Sequence, residues 1–149
     1  MQCLLLFSLL FSCLLSPQSR TVTLDTGEVT LPKGYSNKRV GMTDSLMGEI
    51  RRADGTLVIY CDIGAMAGTH MYPQRRGECV WFRERLINGR KAFVGLVENR
   101  GKRELIVTIM GGSEVSFTLP ANFWAEVRSR RDMADVERIA ASYKPKPKE

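Results

Sequence analysis

The sequence predicts an α+β fold, an antiparallel β-sheet of about five to seven strands with a C-terminal helix packed on one face. Two observations carry this prediction. Short segments of alternating apolar and polar residues recur along the chain, separated by turn signals such as "ADG" at 53–55 and "NG" at 88–89. Helical spacing of apolar residues appears only near the C-terminus. Connections this short favour antiparallel neighbours in one sheet.

The strands follow from these alternating segments, taken in chain order. The predicted strands are 21–24, 28–31, 47–51, 56–63, 79–87, 91–97, 104–110 and 114–119, with "NFWAEV" at 122–127 as one more. In the strand at 56–63, Leu57, Ile59 and Cys61 share one face, while Tyr60 and Asp62 point to the other. Residues 32–45 are rich in turn formers without clear periodicity, so an irregular connection is expected there.

The segment "SRRDMADVERIAASY" at 129–143 predicts the C-terminal helix. Ser129 is the expected N-cap, and Asp132 three residues later completes a near capping box. Apolar residues then fall on one helical face, at Met133, Val136, Ile139 and Ala140. Acidic residues are expected on the outer, solvated face, at Asp132, Asp135 and Glu137. Residues 144–149, "KPKPKE", are expected to form a disordered charged tail.

Residues 1–19 differ from the rest of the chain. They carry no charge and contain a short apolar run, which is typical of a signal peptide and too short for a comfortable membrane span. The segment "LFSC" resembles a bacterial lipobox, in which Cys13 would be lipidated; ordinary cleavage between about Ser16 and Arg20 is the alternative. Residues 20–143 are then a single domain, exported to the periplasm or the exterior, and any membrane contact is through the lipid anchor.

The exported domain carries the whole formal charge of +6, because every charged residue lies at position 20 or later. Two kinds of partner are expected for a basic exported protein: an envelope protein, or an anionic surface such as lipid head groups or cell-wall polymers. Nucleic acid is not expected, since no recognition motif is present.

Three segments resemble a known group of exported domains. "NFWAEVRS" followed by a short helix ending in "IAASY", with the serine–aromatic pair Ser142–Tyr143, is similar to the PsbP-like and DcrB-like families. The early "VTLPKGY" at 29–35 also resembles the opening of DcrB-like chains. The resemblance implies a small accessory protein or lipoprotein of mixed α and β structure, without shared catalytic residues to carry over.

The segment 59–79, "IYCDIGAMAGTHMYPQRRGEC", concentrates the residue types that carry chemistry. In an oxidising compartment Cys61 and Cys79 are candidates for a disulfide. Soft donors suggest a copper site, formed by His70, Met66 and Met71. A cation pair, Arg75 and Arg76, is a candidate anion contact.

These patterns support a non-catalytic binding or accessory domain of the cell envelope, and they imply no cofactor. Two alternatives stay open: a soft-metal carrier using the 61–79 segment, and a Cys–His hydrolase. The hydrolase is disfavoured because adjacent strand residues, Cys61 and Asp62, point to opposite faces. An exposed tryptophan, Trp81 or Trp124, would mark a contact surface.

Overall fold

The computed structural model describes residues 19–24, 26–42, 46–64, 66–112 and 120–146. The α+β prediction is confirmed: the described residues form a seven-stranded antiparallel sheet, a three-stranded sheet and a C-terminal helix. The strands are β1 Arg20–Leu24, β2 Gly27–Leu31, β3 Tyr35–Met42, β4 Leu46–Arg52, β5 Val58–Ile63, β6 Cys79–Ile87, β7 Arg90–Asn99, β8 Lys102–Ile109, β9 Ala121–Glu126 and β10 Lys144–Pro145. The helix α1 spans Arg130–Ala141, and a 3₁₀ helix spans Pro73–Glu78.

The large sheet has the strand order β3-β4-β5-β9-β8-β7-β6, and every neighbouring pair is antiparallel. The predicted turn at 88–89 joins the neighbouring strands β6 and β7. Asn88 and Gly89, at φ of 50° and 75°, have the left-handed conformation that a two-residue hairpin requires. β9 instead inserts between β5 and β8, so the segment after β5 must travel over three strands to reach β6.

The two faces of the large sheet have different coverings. We call the side covered by α1 and the three-stranded sheet the core face. It contributes buried apolar side chains to the main cluster, among them Ile59, Cys61, Val107 and Phe123. The opposite side is the loop face, whose side chains on neighbouring strands lie in register at Asp62, Asn122, Thr108 and Phe93. The burial of Cys61 on the core face confirms the predicted strand register.

Helix α1 begins at the predicted cap. The Ser129 hydroxyl accepts a hydrogen bond from the Asp132 N–H at 3.1 Å, and the Asp132 carboxylate accepts one from the Ser129 N–H at 3.0 Å. The prediction that Asp132 and Asp135 lie on a solvated face is wrong, because both are buried. They flank the apolar stripe, and Arg52 on β4 reaches them from the sheet at 2.9 and 3.4 Å.

Two further predictions need correction. The stretch expected to be irregular contains β3, an edge strand whose side chains from 36 to 40 are exposed. Backbone pairing with β4 holds this strand, and successive side chains on both of its faces are exposed, so its sequence shows no apolar alternation. The prediction of a disordered tail is wrong for Lys144 and Pro145, because both residues pair with β2. They directly follow Tyr143, which is fully buried. A Cβ on Gly27 would lie 2.3 Å from the Lys144 carbonyl oxygen, so glycine permits this approach.

Some predictions fall outside the described residues. These include the signal peptide and Cys13 in residues 1–18, the strand at 114–119, and the end of the tail at 147–149. Within the described residues, no helix has both the length and the apolar character that crossing a membrane needs.

Candidate functional site

The segment between β5 and β6 lies across the loop face. We call residues 64 and 66–78 the crossing loop. It passes over β9, β8 and β7 in turn, because those three strands separate β5 from β6 in the sheet. Its last part is the 3₁₀ helix at Pro73–Glu78. A connection that lies flat on a sheet buries backbone groups, and these need hydrogen-bond partners from the strands below.

Asn122 on β9 supplies most of those partners. Its side-chain oxygen accepts hydrogen bonds from the His70 N–H at 3.1 Å and from the Thr108 hydroxyl at 2.7 Å. The Thr108 hydroxyl oxygen in turn accepts one from the Met71 N–H at 2.9 Å. The Asn122 amide donates at 3.3 to 3.4 Å to carbonyl oxygens of Asp62, Ala67 and Gly68. The polar residues under the loop therefore fix its path.

Met71 anchors the loop by filling a notch in β7. The side chain is fully buried and packs with Phe93 and Ile106. The notch exists because β7 has Gly95 at this point: a Cβ there would lie 2.6 Å from the Met71 methyl carbon and 2.9 Å from the Cys79 sulfur. A Cβ at this distance would force the Met71 side chain and the Cys79 sulfur to move, so close docking of the loop depends on the missing side chain.

Replacing Gly95 with alanine is expected to lower the free energy of unfolding by about 2 kcal/mol, the typical cost of adding a methyl group to a filled core. Urea denaturation measures it. In a Met71→Ala background, a Cβ at residue 95 would meet only the Cys79 sulfur. Gly95→Ala should therefore lower the free energy of unfolding clearly less in that background than in the wild-type protein. Gly77→Ala is the matched control, because a Cβ at Gly77 meets nothing within 4 Å. If Gly95→Ala lowers the free energy of unfolding equally in both backgrounds, Met71 does not fill a notch at Gly95.

His70, the only histidine of the chain, lies between a carboxylate and an aromatic ring. Its Nε2 is 3.6 Å from the Asp62 Oδ2, and its ring centroid is 4.7 Å from that of Trp124. Trp124 also stacks on the exposed Tyr60, at a centroid distance of 5.8 Å. The other carboxylate oxygen of Asp62, Oδ1, is buried without a hydrogen-bond partner in the described structure. The imidazole thus docks the loop as part of an aromatic cluster.

The predicted disulfide between Cys61 and Cys79 is wrong, since both thiols are free. β5 and β6 are four strand spacings apart, roughly 19 Å at about 4.8 Å per spacing, which no disulfide spans. Burial raises the pKa of Cys61 to about 12 and also raises the pKa of Cys79. Cys61 faces Gly48 on the core face, whereas the Cys79 sulfur lies 3.8 Å from that of Met71.

The three candidate metal ligands do not converge. Met66 is 68% exposed. His70 lies over Trp124 on β9, whereas the Met71 sulfur lies over Gly95 on β7, two strands away. Among the described residues, no three His, Cys, Asp or Glu side chains are grouped to hold a metal ion.

The two candidate anion-binding arginines already have partners within the protein. The Arg75 guanidinium donates to the His70 carbonyl oxygen and, at 2.8 Å, to the Glu78 carboxylate. Arg76 lies over the Phe82 ring, 5.0 Å from its centroid, and 3.7 Å from the Glu84 carboxylate. Arg75 therefore ties the loop to its own 3₁₀ helix, and Arg76 ties it to β6.

A second surface, between α1 and β6 on the core side of the sheet, concentrates positive charge. We call it the arginine groove. Its charged lining is four arginines and one glutamate, a formal net of +3: Arg83, Arg85, Arg130, Arg138 and Glu137. Half-buried Trp81 forms its floor, and the Arg83 guanidinium lies 4.7 Å from the Trp81 ring centroid. Arg85 pairs with Glu137, and Arg138 pairs with Asp135 at 2.5 Å. The remaining positive charge of the groove is therefore that of Arg83 and Arg130.

The arginine groove is not among the predicted sites, although the sequence contains a signal for each of its two halves. Arg83 and Arg85 alternate on β6, so their side chains share a face. Arg130, Ala134 and Arg138 recur every four residues and form one stripe of α1. Nothing local shows that the stripe and the strand face each other, because that follows from the packing of α1 on the sheet.

No family model and no curated protein matches this sequence. The resemblance to PsbP-like and DcrB-like domains stays a prediction.

Proposed function

We propose that this protein is an exported, non-catalytic binding domain of the cell envelope whose partner is anionic. The observation that supports it is the arginine groove, where charges from a strand and a helix converge on a half-buried tryptophan. Acids compensate two of its four arginines, since Arg85 pairs with Glu137 and Arg138 with Asp135. The charges of Arg83 and Arg130 remain for a partner. Arginine and tryptophan are also the residues that contribute most at binding surfaces.

Binding is favoured over catalysis by the state of the reactive groups. Both thiols have raised pKa values and so remain protonated, which is the unreactive form of cysteine. Cys61 is on the opposite face from His70, and Cys79 contacts Met71 and the Arg75 carbonyl oxygen. The donor set of the proposed copper carrier diverges, so the geometry favours an anion-binding role over metal transport.

The test is binding of poly-L-glutamate by isothermal titration calorimetry. The wild-type protein should bind, and the affinity should fall with salt as the Debye length shortens from about 10 Å at 0.1 M to about 3 Å at 1 M. A double variant, Arg83→Ser with Arg130→Ser, should bind about tenfold more weakly, because it removes two of the four positive charges.

The matched control removes two positive charges elsewhere, by Arg100→Asn and Arg128→Ser. Both side chains are exposed, and neither lines the groove. Asparagine is chosen at Arg100 because it tolerates the positive φ of 52° found there. If the control loses as much affinity as the groove variant, binding follows net charge and the proposed site is wrong.

A further inference from the structure

The strand that forms one wall of the arginine groove is also an edge of the large sheet. β6 is last in the strand order and, among the described residues, pairs only with β7. From Trp81 to Ile87 this pairing is continuous. One side of this seven-residue strand therefore presents backbone N–H and C=O groups that no other strand of the described part of the chain pairs with. Such an edge is a template for another extended chain.

We propose that the anionic partner is an extended peptide that adds to the free edge of β6, with acidic side chains at alternate positions over the arginine groove. This inference rests on the proposed function and names the form of its partner. Residues directly opposite Arg83 and Arg85 in an added strand point to the same face, towards the groove. The residue between them lies opposite Glu84 on the other face, so it is expected to be neutral or basic.

The charges on β6 argue against a second copy of this chain as the occupant. Antiparallel pairing of β6 with itself centred on Glu84 sets Glu84 against Glu84 and Arg83 against Arg85. Centring on Arg83 or on Arg85 sets that arginine against its own copy. Like charges directly opposite one another are destabilising, so these registers disfavour self-pairing and favour an acidic strand.

Exposed apolar groups lie on the same edge. Leu86 is 76% exposed and Val80 is 58% exposed, and both belong to β6. An added strand would cover Leu86 with the side chain opposite it. The other edge, β3, is a poorer template because its pairing shifts register between Arg39 and Gly41, which leaves a continuous run of only five residues, 35–39.

The experiment uses the full-length protein and short synthetic peptides long enough to span residues 81–87. The first peptide alternates glutamate with threonine, and its isomer groups the same glutamates together. The alternating peptide should bind about tenfold more tightly, since only it sets every acid on the arginine side. N-methylation at every second residue removes the N–H donors from one side of the peptide. One of the two possible methylation sets should abolish binding and the other should not.

Hydrogen exchange measured by NMR locates the peptide. Amides at alternate residues between 81 and 87 should gain protection, namely those that point away from β7. If the isomer binds as tightly as the alternating peptide and neither methylation set weakens binding, the groove recognises negative charge alone. Strand addition is then wrong, while the proposed function stands. If phosphatidylglycerol vesicles bind more tightly and protect no β6 amide, the partner is an anionic surface. If the wild-type protein binds neither the peptides, nor poly-L-glutamate, nor the vesicles, both proposals are wrong.

Discussion

Replacing Arg52 with leucine is expected to lower the free energy of unfolding by about 3 kcal/mol, because it leaves the buried Asp132 carboxylate without its ion-pair partner. Asp135 loses one of its two cations and keeps its ion pair with Arg138 at 2.5 Å. The Arg52 guanidinium lies 2.9 Å from Asp132 and 3.4 Å from Asp135. Asp135 also accepts a hydrogen bond of 2.6 Å from the Tyr35 hydroxyl. This network joins α1 to β4 and β3, so its loss loosens the helix from the sheet. Urea denaturation at neutral pH measures the difference.

The same variant has a diagnostic pH dependence. Burial raises the pKa of Asp132, but hydrogen bonds from the Arg128 N–H and from Arg52 outweigh it, so the pKa is lowered overall. A lowered pKa means stability that is present above the ordinary value, about 4, and is lost as pH falls through the folded-state value. The difference in free energy of unfolding between the wild-type protein and Arg52→Leu should therefore become smaller in acid. A difference that does not change with pH would contradict this account.

Arg51→Leu is the control for Arg52→Leu. Arg51 is the next residue on β4, and its half-exposed side chain pairs with Glu49 at 2.5 Å on the other face of the sheet. An exposed ion pair contributes between about 0 and 1 kcal/mol, so this substitution should change the stability little.

Replacing Asn122 with alanine is expected to cost about 3 kcal/mol. The substitution removes the acceptor used by the His70 N–H and the Thr108 hydroxyl, and each buried polar group left unsatisfied costs about 1–3 kcal/mol. The crossing loop should detach from the loop face before the protein unfolds. Hydrogen exchange of the His70 and Met71 amides should accelerate, and urea denaturation should show the lower stability.

Asn37→Ala provides the comparison for Asn122→Ala, because Asn37 is an exposed residue of the edge strand β3. It should leave both the stability and the exchange of the Met71 amide unchanged. Unaltered exchange of that amide in Asn122→Ala would show that the loop is held by Met71 packing alone.

Several features of the fold are local, and the sequence predicted them. The turn at Asn88–Gly89 follows from backbone conformations that these two residue types adopt readily. The capping box at Ser129 and Asp132 involves residues three apart. The burial of Cys61 follows from strict alternation along β5. Each depends on neighbours in sequence, so each is visible there.

The errors share a physical cause, which is a partner from a distant segment. β3 is a strand because β4 pairs with it, although its own side chains are exposed. Asp132 is buried because Arg52, eighty residues earlier, compensates its charge, and Arg52 also reaches Asp135. The segment 59–79 contains reactive residue types, yet its polar contacts serve to dock the crossing loop on the sheet.

Short-range backbone chemistry specifies the strands with clear alternation, their tight turns and the capped helix, so these elements can be predicted from the chain alone. The order of the strands depends on packing between distant segments. Inserting β9 between β5 and β8 sends the crossing loop over three strands and separates Cys61 from Cys79. Packing α1 on the core face brings its arginine stripe opposite that of β6. Both outcomes arise from burying apolar faces that are far apart in the chain, which no local pattern encodes.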